Sequence, residues 1–368
     1  NYPDYVQYAL DYALTVKQPD GQEVNYSKEM MKLYFQNEDP SFDLLFDSQD
    51  EGQTYVDRYK ANILADGSTV VAERVSFAPQ PQSAMTIIDQ HTGYVKAIIG
   101  GRGTKTASLT LNRATDSTRQ PGSTFKIVST YAAALNEKGM TLATTYEDQP
   151  ITYDNGAPVN NASGSFNGTV AVQCFEDVTP ELGLKYLDNF GFTTLAHGTE
   201  ADTDANGNVY TDANLPTALG GLTYGVKNVE LCAAYAAIAN GGNYIKPVYY
   251  TKILDHNGNV LIENNSVGRS VIKETTAYLL TSALEDVVQN GTGTACQLDN
   301  MAVAGKTGTT DAYNDLWFVG YTPYYTCAVW SGYDGNQKIP EGDARNFHKT
   351  LWRKVMNRIH QGMEYKDF

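Results

Sequence analysis

The sequence predicts an α+β fold in which an antiparallel β-sheet is flanked by helices. Two observations carry this. β-Like runs lie toward both ends of the stretch that begins near residue 81, at Met85–Asp89 and Tyr94–Ile99 and again at "LWFVGYTP" and "YTCAVWSGYD". Helical patterns fill the middle, an order that suits one sheet covered by helices better than repeated βα units.

Taken in order, residues 1–80 read as a linker or N-terminal lobe, with a helix over "YPDYVQYALDYALTV" followed by polar stretches such as "FDSQDEGQTY". Residues 81–368 form the second expected domain. Its first two β runs flank His91-Thr92-Gly93, a turn signal that makes them a hairpin. Thr124 to Asn136 is apolar enough to be a buried helix, and Tyr153 to Thr169 is rich in Asn, Gly and Ser and reads as loop. "NVELCAAYAAIANGG" and "KETTAYLLTSALEDVVQNG" are helices that stop at glycine, and "HKTLWRKVMNRIHQG" is a closing helix.

Composition narrows the function classes. The 368 residues are 42% hydrophobic and 19% charged, as in an ordinary globular protein. Acidic residues outnumber basic ones by 42 to 27, a net charge of −15 that disfavours nucleic acid and anionic membranes. Four separated cysteines (Cys174, Cys232, Cys296, Cys327) show neither CxxC nor zinc spacing, which leaves buried thiols or one disulfide. Five scattered histidines form no metal cluster, so no metal and no cofactor are expected. No apolar run approaches the roughly 20 residues that span a bilayer. The opening at Asn1, with neither methionine nor signal-like segment, reads as a piece of a longer protein.

The chemistry concentrates in "RQPGSTFKIVSTYAAAL". Pro121-Gly122 makes a turn, and a helix starts behind it with Ser123 at its N-terminus, where unpaired N–H groups favour developing negative charge. Lys126 stands three residues on, on the same face; a neutral amine there can take the serine proton. Serine is also an ordinary N-cap, so Ser-x-x-Lys alone decides little.

A second stretch, "MAVAGKTGTTDAYNDLWFVGY", adds weight. Lys306 supplies charge, Thr307 and Thr309 offer hydroxyls to a carboxylate, and Gly305 and Gly308 leave room for another molecule's backbone to approach a strand edge. A phosphate-binding loop is disfavoured, because Asn300 stands where it needs glycine and no helix follows.

Together these segments resemble the penicillin-binding proteins, the D,D-transpeptidases that cross-link bacterial cell walls, from about Ser83 to the C-terminus. "NRATDSTRQPGSTFK" resembles the family's nucleophile segment, while "TALGGLTYGVKNVELCAAYAAIANGGNYIKP" and "AGKTGTTDAYNDLWFVGYTPYYTCAVWSGYD" resemble later blocks. The layout is nearest to class A, whose glycosyltransferase domain is not visible here.

The resemblance implies the fold shared with serine β-lactamases, including an all-helical subdomain. It makes Ser123 the nucleophile, Lys126 its proton partner and Lys306 the electrostatic anchor. Thr307, Gly308 and Thr309 would form the substrate-binding strand, and the N–H groups of Ser123 and Thr309 the oxyanion hole. Expected partners are peptidoglycan stem peptides ending in D-Ala-D-Ala and β-lactam antibiotics. Water in place of an acceptor amine would give carboxypeptidase activity. The site would lie on the extracytoplasmic face of the bacterial membrane, held by an N-terminal anchor missing from this chain. A non-catalytic β-lactam sensor or scaffold is the alternative, as is a β-lactamase, although the Glu-x-x-Leu-Asn pattern of class A lactamases is absent.

The family's middle motif, Ser-x-Asn, is matched formally by Ser165-Phe166-Asn167. Yet "SFNGT" resembles the turn that precedes a further helix in the family, and "VAVQCFEDVTPELGLKYLDNFGF" resembles the family's stretch C-terminal to the motif. The expectation is therefore that a short segment carrying the true motif is absent near Thr169-Val170.

Overall fold

The computed structural model describes residues 6–103, 105, 108–153, 155–159 and 167–368. It divides into two compact units, Asn1–Gln82 with Arg102–Thr106, and Ser83–Gly101 with Ala107–Phe368.

The first unit is built on β1 (Gln7–Lys17), which pairs antiparallel with β2 (Glu23–Ser27), the short β3 (Leu45–Phe46) and, along its whole length, β4 (Thr69–Gln80). The helix expected over "YPDYVQYALDYALTV" is thus a strand over its described part. Leu10, Tyr12, Leu14 and Val16 are all buried, and this period of two suits a half-buried strand, whereas a helix would scatter the four around its axis. Helices α1 (Lys28–Gln36) and α2 (Gln49–Ile63) cover that face with Met31, Phe35, Val56 and Tyr59. Each starts at a serine whose hydroxyl accepts from the first turn, Ser27 from Met30 N–H and Ser48 from Glu51 N–H. The polar run "FDSQDEGQTY" is the entry into α2.

The second unit centres on a five-stranded sheet. β5 (Gln82–Ile88) and β6 (Val95–Ile99) form the expected hairpin, and β11 (Ala304–Thr309), β12 (Asp315–Tyr321) and β13 (Thr326–Gly332) complete the order β11-β12-β13-β5-β6. Short pairs lie between these groups in sequence: β7 (Asn243–Ile245) with β10 (Gly268–Ser270), and β8 (Lys252–Leu254) with β9 (Val260–Glu263).

β12 and β13 are buried on both faces. Alternation sends Phe318, Cys327 and Val329 toward the closing helix α8 (Phe347–Ile359), where Phe318 meets Trp352 edge-on at 4.9 Å. Trp317, Val319, Tyr321, Ala328 and Trp330 face the larger helical cluster.

That cluster holds α3 (Ala132–Glu137), α4 (Asn167–Val178), α5 (Pro180–Asn189), α6 (Asn228–Ala239) and α7 (Glu274–Gln289). α6, Ala-rich and buried on nearly every side, crosses the middle of the unit, as an all-round apolar helix must. Two details differ from the sequence expectation. The segment expected as one regular helix from Thr124 is a 3₁₀ turn (Gly122–Thr124), then a π-helical stretch (Lys126–Tyr131), and only then α3. The loop expected through Thr169 already turns helical at Asn167, the start of α4, whose first turn carries Thr169 and Val170.

Among the described residues no helix is long and apolar enough to cross a membrane, and no group of metal-binding side chains is assembled. All four cysteines are buried free thiols.

Candidate active site

Ser123 sits half-buried on the 3₁₀ turn that opens the α3 segment. Phe125 caps the turn, and Lys126 is the residue that follows it. The π-helical stretch begins at Lys126 itself, a distortion of the kind that recurs at functional sites.

Several bonds hold this turn. Arg119 and Val226 exchange backbone hydrogen bonds at 3.0 and 2.9 Å. The Gln120 amide grips Leu222 from both sides, donating to its carbonyl at 2.7 Å and accepting from its N–H at 2.8 Å. Trp317 Nε1 donates to the Gln120 carbonyl at 2.9 Å, and Tyr235 Oη donates to the Thr124 carbonyl at 2.6 Å. The nucleophile candidate is therefore fixed from a loop, a strand and a helix at once.

The second motif is the edge strand β11, and it reaches the same place. Gly122 has φ of +54°, and a Cβ there would lie 2.7 Å from the Thr309 carbonyl oxygen and 3.0 Å from its nitrogen. A Cβ on Gly308 would lie 2.5 Å from the Pro121 carbonyl. This revises the reading of the strand glycines. Gly308 makes room for the protein's own Pro121–Thr124 turn, and a Cβ on Gly305 would meet Phe318 and Gly320 of β12, so neither is spare space for an incoming backbone. Because side chains alternate along a strand, Lys306 shares the Gly308 face and is directed at that turn.

Register settles which backbone groups stay open. Thr310 N–H donates to the Asp315 carbonyl at 3.1 Å, so the Thr309–Leu316 pair before it is a non-bonded one. Thr309 and Thr307 therefore turn their N–H groups to the outer edge of the sheet, where the Lys306 ammonium caps the Thr307 carbonyl at 3.0 Å. The Thr307 hydroxyl pairs with that of Thr292 at 2.7 Å, a partner the sequence did not announce.

The electrostatics follow from burial. Lys126 is 8% exposed, and loss of hydration pulls its ammonium below the usual lysine range. Lys306 is pulled down to about 7, first by burial and then by the charge of Lys126. Two amines this close in a poorly hydrated site disfavour double protonation, so one tends to be neutral near neutral pH.

A cleft of about 370 Å³ opens over the junction, with Ser123, Gly122, Gly220, Leu222, Thr309 and Asn336 among its walls. Beside an amine that can lose its proton, such a hydroxyl can attack a carbonyl, and N–H groups at the cleft can hold the resulting oxyanion. Ser123, Lys126, Lys306, Thr307, Gly308 and Thr309 are thus gathered into one region. Ser165 lies outside the described residues, as does the side chain of Asn167. Sequence patterns do not mark Gln120, Tyr235 or Thr292. Gln120 stands inside the "RQPGSTFK" run, but nothing in the pattern tells a clamp from a solvated amide.

The chain belongs to the penicillin binding protein transpeptidase domain family, whose model matches residues 83–357. It is 33% identical over 371 residues to penicillin-binding protein 1A of Clostridium acetobutylicum, covering 94% of this chain and 45% of that protein. It is 30% identical over 333 residues to penicillin-binding protein 1A/1B of Bacillus subtilis, covering 82% and 34%. The chain thus spans less than half the length of these curated relatives. Among solved structures it resembles the PonA1 protein of Mycobacterium tuberculosis in complex with penicillin V, with a TM-score of 0.66, 25% identity and 78% and 80% of the two chains covered. It shares its fold with the D,D-transpeptidase domain of a peptidoglycan glycosyltransferase from Eggerthella lenta, with a TM-score of 0.59, 21% identity and 96% of each chain covered.

Proposed function

We propose that this chain is the serine D,D-transpeptidase portion of a cell-wall synthase working outside the cytoplasmic membrane. Ser123 attacks the carbonyl of the penultimate D-Ala of a stem peptide as Lys126, neutral when the pair's single charge rests on Lys306, takes its proton. The tetrahedral oxyanion rests on the N–H groups of Ser123 and Thr309. Collapse expels the terminal D-Ala, whose nitrogen receives a proton, and leaves an ester on Ser123. An amine from a neighbouring stem peptide resolves the ester into a cross-link, or water resolves it into a shortened peptide. Lys306 and the Thr307 and Thr309 hydroxyls receive the donor's terminal carboxylate. A β-lactam enters by the same route and leaves the serine acylated.

The observation that carries this reading is the contact between the Ser123 turn and the end of β11, where Gly122 and Thr309 meet without room for one methyl group. Family membership supports it independently. The test is intact mass after incubation with a penicillin. One adduct on the peptide containing Ser123, lost in Ser123→Ala, is the expected result. An adduct elsewhere, or one that survives the substitution, refutes the assignment.

A further inference from the structure

Asp315 opens β12 and is almost fully buried, 2% exposed, yet it belongs to none of the motif residues. Its carboxylate is shared among three elements. Oδ1 accepts from Trp330 Nε1 of β13 at 2.8 Å and lies 4.0 Å from Arg119 Nη1. Oδ2 accepts from the Thr310 hydroxyl at 3.3 Å, while the Asp315 N–H donates back to that hydroxyl at 2.9 Å. Arg119 is held over the Trp330 ring at 4.7 Å and donates to the Asp334 carbonyl at 3.1 Å. Arg113 in turn pairs with both oxygens of the Asp334 carboxylate, each at 2.6 Å.

The placement of the ends of this network matters. Arg119 begins the segment that runs through Pro121 and Gly122 to Ser123, and Thr310 directly follows Thr309. Burial pushes the Asp315 carboxyl upward, while Trp330, Arg119 and Thr310 each favour its charged form. A charge buried this deeply costs stability unless its partners are held in place.

We propose that Asp315, paired with Arg119, is a positioning residue that sets the spacing between the Ser123 turn and the end of β11, and so aligns the two N–H donors for the oxyanion. This rests on the acyl-transfer reading of the site. Asp315 touches no reacting atom; it acts through Thr310 on the strand side and through Arg119 on the nucleophile side. A misplacement of about 1 Å at such a site costs on the order of 100-fold in rate.

The test compares the wild-type chain with Asp315→Asn, which keeps size and one acceptor but removes the charge. Reaction with a fluorescent penicillin is separated into the affinity of the first, non-covalent complex and the acylation rate constant. A boronic acid, whose tetrahedral adduct on the serine places an oxygen among the oxyanion donors, provides a second readout. Expected are a fall of about 10- to 100-fold in the acylation constant and a matching loss of boronate affinity, with non-covalent binding within about twofold of wild type. Arg119→Met should give the same selective loss, and the double variant should be little worse than the poorer single one.

Acylation and boronate binding at wild-type levels would overturn the role, and so would a uniform loss that includes the first complex. If Asp315→Asn does not fold, Thr310→Val decides. It removes the hydroxyl that ties Asp315 to the strand and leaves Arg119 and Trp330 in place, so a selective acylation defect supports the role and an unchanged rate removes it. A wild-type chain that takes no penicillin would sink the acyl-transfer reading and this inference together. A wild type that labels beside an equally fast Asp315→Asn would sink only the inference.

Discussion

Gly122 and Thr309 are packed so closely that a Cβ on the glycine would lie 2.7 Å from the threonine carbonyl oxygen. The contact joins the turn that presents a hydroxyl to the strand that presents open N–H groups, and it makes the first prediction. Gly122→Ala meets both the strain of a left-handed alanine, about 1 kcal/mol or more, and a backbone clash that only movement of β11 can relieve. Thermal unfolding should fall by a few degrees while penicillin acylation falls far more. Equal loss of both would mean the contact is merely structural.

Lys126→Met removes the like charge that helps depress Lys306. The Lys306 ammonium should then titrate above its present value of about 7, though still below an exposed lysine, because burial remains. NMR of reductively methylated lysines reads the shift directly. An unmoved resonance would show that the two amines do not share a field.

Lys306 also bears on stability, and the sign is definite. Its folded value of about 7 lies below the roughly 10.4 of an unfolded chain. Between those limits the unfolded state binds the extra proton, so stability rises with pH across that window, and the penalty is full below it. Lys306→Met should therefore raise stability at pH 6, by less than the full value of about 1.4 kcal/mol per unit of displacement because the half-buried side chain keeps some water, and should flatten the pH dependence of denaturant midpoints. It should slow acylation as well. A variant no more stable than wild type at pH 6 would contradict the buried charge.

Tyr235→Phe deletes the bond from Tyr235 Oη to the buried Thr124 carbonyl. The expected cost is about 1–3 kcal/mol by chemical denaturation, with slower acylation because the carbonyl lies one residue past Ser123. Trp352→Ala, on the far side of the sheet, should cost about 3–5 kcal/mol through the cavity left beside Phe318. Any Trp352→Ala protein that remains folded should keep its acylation rate, which separates stability from chemistry.

Much of the fold is readable along the chain. The hairpin at His91–Gly93, α6, α7, α8 and strands β12 and β13 all stand where turn residues, glycine stops and apolar runs put them. β1 departs from the expected helix because apolar content alone does not distinguish the two, whereas the alternation of Leu10, Tyr12, Leu14 and Val16 does. The helix after Ser123 is legible as a helix, but its 3₁₀ and π character is not. Those departures answer to neighbours such as Tyr235 and Trp317 that are remote in sequence.

By itself the sequence determined the candidate residues and the turn and strand that present them, because backbone periodicity and turn chemistry act over a few residues. Only the tertiary structure decided that Gly122 touches Thr309, that Lys126 lowers Lys306, and that Asp315 lies within reach of Arg119. Desolvation and through-space charge depend on which distant segments are folded against each other, and no local pattern encodes that.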